Sequence, residues 1–123
     1  MLLLTGKEKK AVVRVAVMMQ GADGRTDSKE IAVNFITFKR LGIDTDELEG
    51  AKDMSTLEAF SIIKNMLPHE KEFVTAFLGA LIVADQDIDD KELELWRLIS
   101  TMCELPTMHL KDAAKKYVKL MTE

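Results

Sequence analysis

Cysteine, proline and tryptophan are nearly missing from this chain: 123 residues contain one Cys, two Pro and one Trp. A lone Cys103 excludes an intramolecular disulfide framework and points to a cytoplasmic protein, with the thiol acting as a small buried hydrophobe. The two prolines, Pro68 and Pro106, fall between apolar segments and punctuate them. Long hydrophobic runs are also lacking. Met1 to Leu4 is too short for a signal peptide, and no later stretch approaches the roughly 20 residues of a membrane span. There is no excess of positive charge: the net charge of −4 and pI near 5.3 exclude the concentrated basic surface that nucleic-acid binding needs.

Catalytic signatures are missing in the same way. The chain has no glycine-rich phosphate loop, no G-x-S-x-G elbow and no H-E-x-x-H. His69 and His109 are the only histidines, and with one cysteine they cannot complete a four-ligand zinc site without borrowing carboxylates. The expectation is a protein that is not an enzyme, with no catalytic residues.

What is present is helix. Apolar residues make up 47% and charged residues 31%, a composition suited to one globular domain spanning residues 1–123. Apolar spacings of three and four predict seven helices, at about 7–21, 28–41, 45–52, 56–66, 69–84, 90–103 and 107–121. The pairs Asp27 with Glu30, Asp44 with Glu47, Ser55 with Glu58 and Asp89 with Glu92 fit capping boxes, and Thr107 could cap the last helix. Gly24 and Gly42 mark the ends of the first two helices. The segments 11–19 and 73–84 are apolar on nearly every side and belong at the centre. The helix carrying Leu57, Phe60, Ile62, Ile63 and Met66 should bridge two halves. Lys111, Lys115, Lys116 and Lys119 form a solvated face opposite Leu110, Ala113, Ala114, Tyr117 and Met121. Most of the eight methionines suit an adaptable core.

Those halves are written in the sequence. ADGRTDSKE at 22–30 recurs as ADQDIDDKE at 84–92, an offset of 62 (85 − 23) that also superposes Ile31 on Leu93, Leu48 on Leu110 and Ala51 on Ala113. The repeat, about 10–53 and 72–121, predicts an all-α, compact helical bundle with pseudo-two-fold symmetry.

The repeated acidic turn has two readings. As caps, Asp27, Glu30, Asp89 and Glu92 need no further role. Asp23 and Asp85 differ, because a carboxylate at the carboxyl end of a helix meets the negative end of its dipole, and a cation would remove that penalty. A residue four before the cap, the cap itself and one three after it can converge as hard oxygen ligands for Ca²⁺ or Mg²⁺. The candidate metal ligands are therefore Asp23, Asp27, Glu30, Asp85, Asp87, Asp89 and Glu92. The D-x-D-x-D start of the second turn is not an EF-hand, since Trp96 stands where the bidentate glutamate belongs.

The two segments VAVMMQGADGRTDSKEIAVNFITFKRLGI and LGALIVADQDIDDKELELWRLISTMCELP resemble the TerB-like group, which includes the tellurite resistance protein TerB and the N-terminal helical region of the co-chaperone DjlA. The resemblance covers about residues 10–121, and it departs from the pattern at Gln86, where the first turn has Gly24. It implies an all-helical TerB-like fold, with the acidic residues forming a surface for a metal or a partner. It also implies a role in tellurite or other stress responses, with a protein partner, often at the cytoplasmic side of a membrane. The competing expectation is a scaffold or homo-oligomerisation module whose acidic turns only cap helices.

Overall fold

The computed structural model describes residues 2–22, 24, 27–84 and 88–123, and among these it contains seven α-helices and no strand. They are α1 (Gly6–Gln20), α2 (Ser28–Arg40), α3 (Thr45–Asp53), α4 (Thr56–Lys64), α5 (Pro68–Val83), α6 (Asp90–Met102) and α7 (Leu110–Met121). The all-helical bundle expected from apolar periodicity is the architecture observed.

Local chemistry sets most of the boundaries. Asp44 and Glu47 form the full reciprocal box, the Asp44 carboxylate accepting from the Glu47 amide at 2.7 Å and Glu47 Oε1 accepting from the Asp44 amide at 3.0 Å. Thr5 and Glu8 do the same at the start of α1, a box the sequence reading passed over. At Ser55 only the hydroxyl half forms, accepting from the Glu58 amide. Pro68 occupies the first turn of α5, where its missing N–H has no intrahelical role. The start expected at Thr107 is wrong: α7 begins at Leu110 behind His109, which makes no side-chain cap bond.

α5 is the axis of the core, with every residue from Phe73 to Ile82 buried. α1 is nearly its equal, with Val12, Val15, Ala16 and Met19 fully buried, but Val17 on its outer side is 53% exposed. α5 packs on α1, α2, α6 and α7; α1 packs on α2, α3, α4, α5 and α6. These contacts obey the repeat. The pair α1–α3 corresponds to α5–α7, α1–α2 to α5–α6, and α1–α6 to α5–α2, with α1–α5 astride the pseudo-axis. Single bonds follow the same rule: Lys9 donates to the Gly42 carbonyl at 3.2 Å, and Lys71 to the Glu104 carbonyl at 3.4 Å.

α4 breaks the symmetry. It seats Phe60 and Ile63 against α1 and α6, as expected of a bridge between halves, although Leu57 is 73% exposed and takes no part. The lysine face of α7 is solvated as expected, with Lys116 reaching Glu72 at 3.0 Å. Met19, Met54 and Met66 are core residues, whereas Met102 is 46% exposed.

Candidate functional site

The starts of α2 and α6 lie at one end of the bundle. α2 runs back along α5: the Phe38 and Phe77 rings meet edge to face at 6.2 Å, and Leu41 shares a cavity wall with Phe73. Moving from these contacts toward its amino end, α2 reaches Glu30 and Asp27 as α5 advances to Ala84. α6 follows α5 in the chain, so the starts of α2 and α6 share this end.

The caps themselves form as expected. Asp27 Oδ1 accepts from the amides of Lys29 at 2.8 Å and Glu30 at 3.2 Å. Asp89 Oδ1 accepts from the Lys91 amide at 2.7 Å. Each satisfies backbone donors that a helix start leaves without partners, and each places negative charge at the positive end of a helix dipole.

The glutamates depart from the capping-box expectation. At Asp44 the glutamate three residues on returns to the cap amide, but at Asp27 and Asp89 no such return bond forms among the described residues. Glu30 and Glu92 are instead buried, each 1% exposed. Helix register is the physical reason. Glu30, Asn34 and Thr37 lie at spacings of four and three on the inward face of α2, and Glu92, Trp96 and Ile99 repeat that face on α6. A buried carboxylate is expensive to desolvate, so a pair at equivalent positions calls for compensation by hydrogen bonds, a counter-charge or a cation. The signal was available in the sequence: both glutamates sit in register with the buried stripe, a position that the short capping motif concealed.

Around Glu30 the inward face of α2 stays polar. The Asn34 amide nitrogen donates to Gln20 Oε1 at 2.5 Å, tying α2 to the end of α1. One helical turn on, the Thr37 hydroxyl donates to the Val33 carbonyl at 2.7 Å, and its single proton is thereby used. The Tyr117 hydroxyl, 2.6 Å away, is therefore the donor to Thr37. Burial pushes the Tyr117 phenol above its ordinary pKa. On α6 the corresponding positions are apolar, and Trp96 sits in the core with its indole N–H directed at the Thr75 carbonyl, 3.4 Å away. That position supplies packing and no cation ligand, as the rejection of an EF-hand required.

Of the seven candidate ligands, Asp23, Asp85 and Asp87 lie outside the described residues. Among the described residues no three histidine, cysteine or carboxylate side chains gather as a metal-ligand group. The four described candidates, Asp27, Glu30, Asp89 and Glu92, bring only carboxylate oxygen, a donor chemistry that fits a hard cation such as Ca²⁺ or Mg²⁺. Cys103 is no competitor for that role: it is fully buried, and desolvation raises its thiol pKa to about 11 against the opposing pull of Lys71. His69 and His109 are exposed and lie at the starts of α5 and α7.

No family model matches the chain, and no curated protein is similar to it. Among solved structures, the crystal structure of PG1108, a protein of unknown function from Porphyromonas gingivalis, is similar over the full length. The two chains share 35% sequence identity with a TM-score of 0.82, covering 100% of this chain and 93% of the other. None of the described helices is long and apolar enough to cross a membrane.

Proposed function

We propose that this chain, which belongs to the same family as the Porphyromonas gingivalis protein PG1108, is a non-enzymatic, cytoplasmic TerB-like binding domain whose two acidic turns hold a divalent cation. The observation that carries the reading is the pair of buried glutamates, Glu30 and Glu92, at the same register of the two copies and at one end of the bundle. Asp27 and Asp89 stand three residues before them, and by the repeat Asp23, Asp85 and Asp87 belong to the same turns. Hard carboxylate donors suit Ca²⁺ or Mg²⁺. Through such a turn the domain would present a charge-sensitive surface to a basic protein partner, in a stress or tellurite response at the cytoplasmic side of a membrane.

Calorimetric titration with Ca²⁺ and with Mg²⁺ tests the reading, using the native chain beside Asp23→Asn/Asp85→Asn and Glu30→Gln/Glu92→Gln double variants. Saturable heat in the native chain that is lost in both variants supports it. Equal, negligible heats in all three proteins reject cation binding.

A second reading, a scaffold whose acidic turns only cap helices, draws on the cap bonds that Asp27 and Asp89 make. Under it, Asp85→Asn leaves every binding property unchanged.

A further inference from the structure

Beneath the start of α2, one buried oxygen has no donor. Asn34 is 4% exposed, and its amide nitrogen is committed to Gln20 Oε1 at the end of α1. Its Oδ1 accepts no hydrogen bond among the described residues. A buried acceptor in this state is costly, and such an atom points to a water or an ion that it serves.

The side chains on the same face do not supply the donor. The Thr37 hydroxyl gives its proton to the Val33 carbonyl, and the Tyr117 hydroxyl gives its own to Thr37. Glu30 lies one turn before Asn34 on this inward face, and an ionised carboxylate has no proton to give.

What the oxygen faces is the acidic start of the helix. Helical side chains lean toward the amino end, so Asn34 reaches toward the turn of α2 that carries Glu30, and residues four apart bring their side chains within reach of one ion. The bond to Gln20 fixes which end of the Asn34 amide is held by α1 and leaves the oxygen end for that ion. An amide oxygen beside a carboxylate is a donor set for a hard cation. Ca²⁺ accepts such mixed sets more readily than Mg²⁺, which demands octahedral geometry and keeps its waters. The second copy has no equivalent: the offset of 62 places Trp96 at this position, in the core, with its N–H directed at the Thr75 carbonyl.

We propose that Asn34 Oδ1 is a cation ligand of the first acidic turn, shared with Glu30, and that it makes this turn the tighter and the more Ca²⁺-selective of the two. The assignment rests on the cation reading above. It adds to that reading a neutral ligand from inside the bundle and an inequality between the copies.

The test titrates the full chain with Ca²⁺ and with Mg²⁺ and follows the backbone amides and the Asn34 side-chain amide by NMR, which reads the two turns separately. The Asn34 side-chain amide and the backbone amides of 30–37 are expected to shift together, at a Ca²⁺ concentration about tenfold below that needed for 92–99, and to respond more weakly to Mg²⁺. Asn34→Leu should weaken Ca²⁺ at the first turn by about tenfold and leave the second at its native midpoint. Asn34→Asp, which keeps an oxygen in place, should restore binding. A side-chain amide that stays fixed while the backbone around Glu30 saturates overturns the proposal, because the oxygen then serves only a water. An Asn34→Leu variant that binds Ca²⁺ like the native chain, or equal midpoints at the two turns, also overturns it, and in each of these cases the cation reading itself survives. No saturable shift at either turn rejects the cation reading and this ligand together. The native-chain titration decides the question even if a variant fails to fold.

Discussion

The two copies of the repeat share a skeleton and differ in what faces inward. On α2 the buried register reads Glu30, Asn34, Thr37; on α6 it reads Glu92, Trp96, Ile99, with Cys103 beyond. One face is a polar ladder closed by Gln20 and Tyr117, and the other is ordinary core. Only the glutamate is common to both. Packing therefore accepts either a polar or an apolar lining below the acidic turn, whereas the turn itself holds a carboxylate in each copy. That pattern separates the parts of the repeat that build the bundle from the carboxylate assigned to binding in both copies, to which Asn34 adds in the first alone.

The copies also differ in how their second helices end, and the largest measurable contrast lies there. Cys103 in the second copy corresponds to Leu41 in the first. Burial raises the Cys103 thiol from 9.0 to about 11, so the folded chain holds its proton more tightly than the unfolded chain. The resulting stability is fully present below pH 9 and is lost as pH rises toward 11, a change of about 2–3 kcal/mol. Urea unfolding of reduced protein between pH 8 and 11 should show this loss, and Cys103→Ala should remove that part of the slope. Parallel pH profiles for the two proteins would show that the second copy is no more alkali-sensitive at this position than the first.

A smaller contrast separates Gly79 from its counterpart Val17. A Cβ at Gly79 would come within 2.6 Å of the Ala113 Cβ, so α5 and α7 approach as closely as glycine permits. Gly79→Ala should lower stability by about 1–2 kcal/mol, the overpacking outweighing the better helix propensity of alanine. Val17 is exposed, and Val17→Ala should stay within about 0.5 kcal/mol by thermal unfolding. Equal effects at the two positions would contradict the asymmetric packing of the central helices.

The smallest contrast concerns a shared turn. Ile43 donates back to Phe38 at 3.0 Å and Leu105 back to Ser100 at 2.9 Å, the same helix-ending bond in both copies. The first copy places Gly42 at φ 69° and the second places Glu104 at φ 53°, a left-handed conformation that a side chain adopts at a penalty. Glu104→Gly should stabilise by about 1 kcal/mol and Gly42→Ala should destabilise by a similar amount. The exposed Glu104 ion pair with Lys64, at 3.4 Å, offsets little of this. Denaturant midpoints that move the same way in both variants would show that the two turns are not equivalent.

Much of this was legible in the residues. The offset of 62, the caps at Asp27, Asp44, Ser55 and Asp89, and the unbroken apolar stretch of α5 are local or periodic signals, readable because helix hydrogen bonding is itself local. Thr107 misled because the chain after it is not yet helical: His109 is extended, Met108 packs against the core, and α7 starts only at Leu110. The first helical turn expected there lies in the segment 107–109, beside Leu105, which is held in the core. Glu30 and Glu92 were read as surface caps because the motif of cap and glutamate looks the same whether its glutamate turns back to the amide or inward.

The sequence alone determined the helix count, the internal symmetry and the acidic character of two turns, since each depends on spacing along one chain. Only the tertiary structure decided which carboxylates are buried and that α4 has no counterpart. Burial and enclosure are set by distant segments meeting in three dimensions. In this bundle the antiparallel course of α2 along α5 brings the starts of α2 and α6 to one end and leaves the cavity shared by Leu41 and Phe73 at the other.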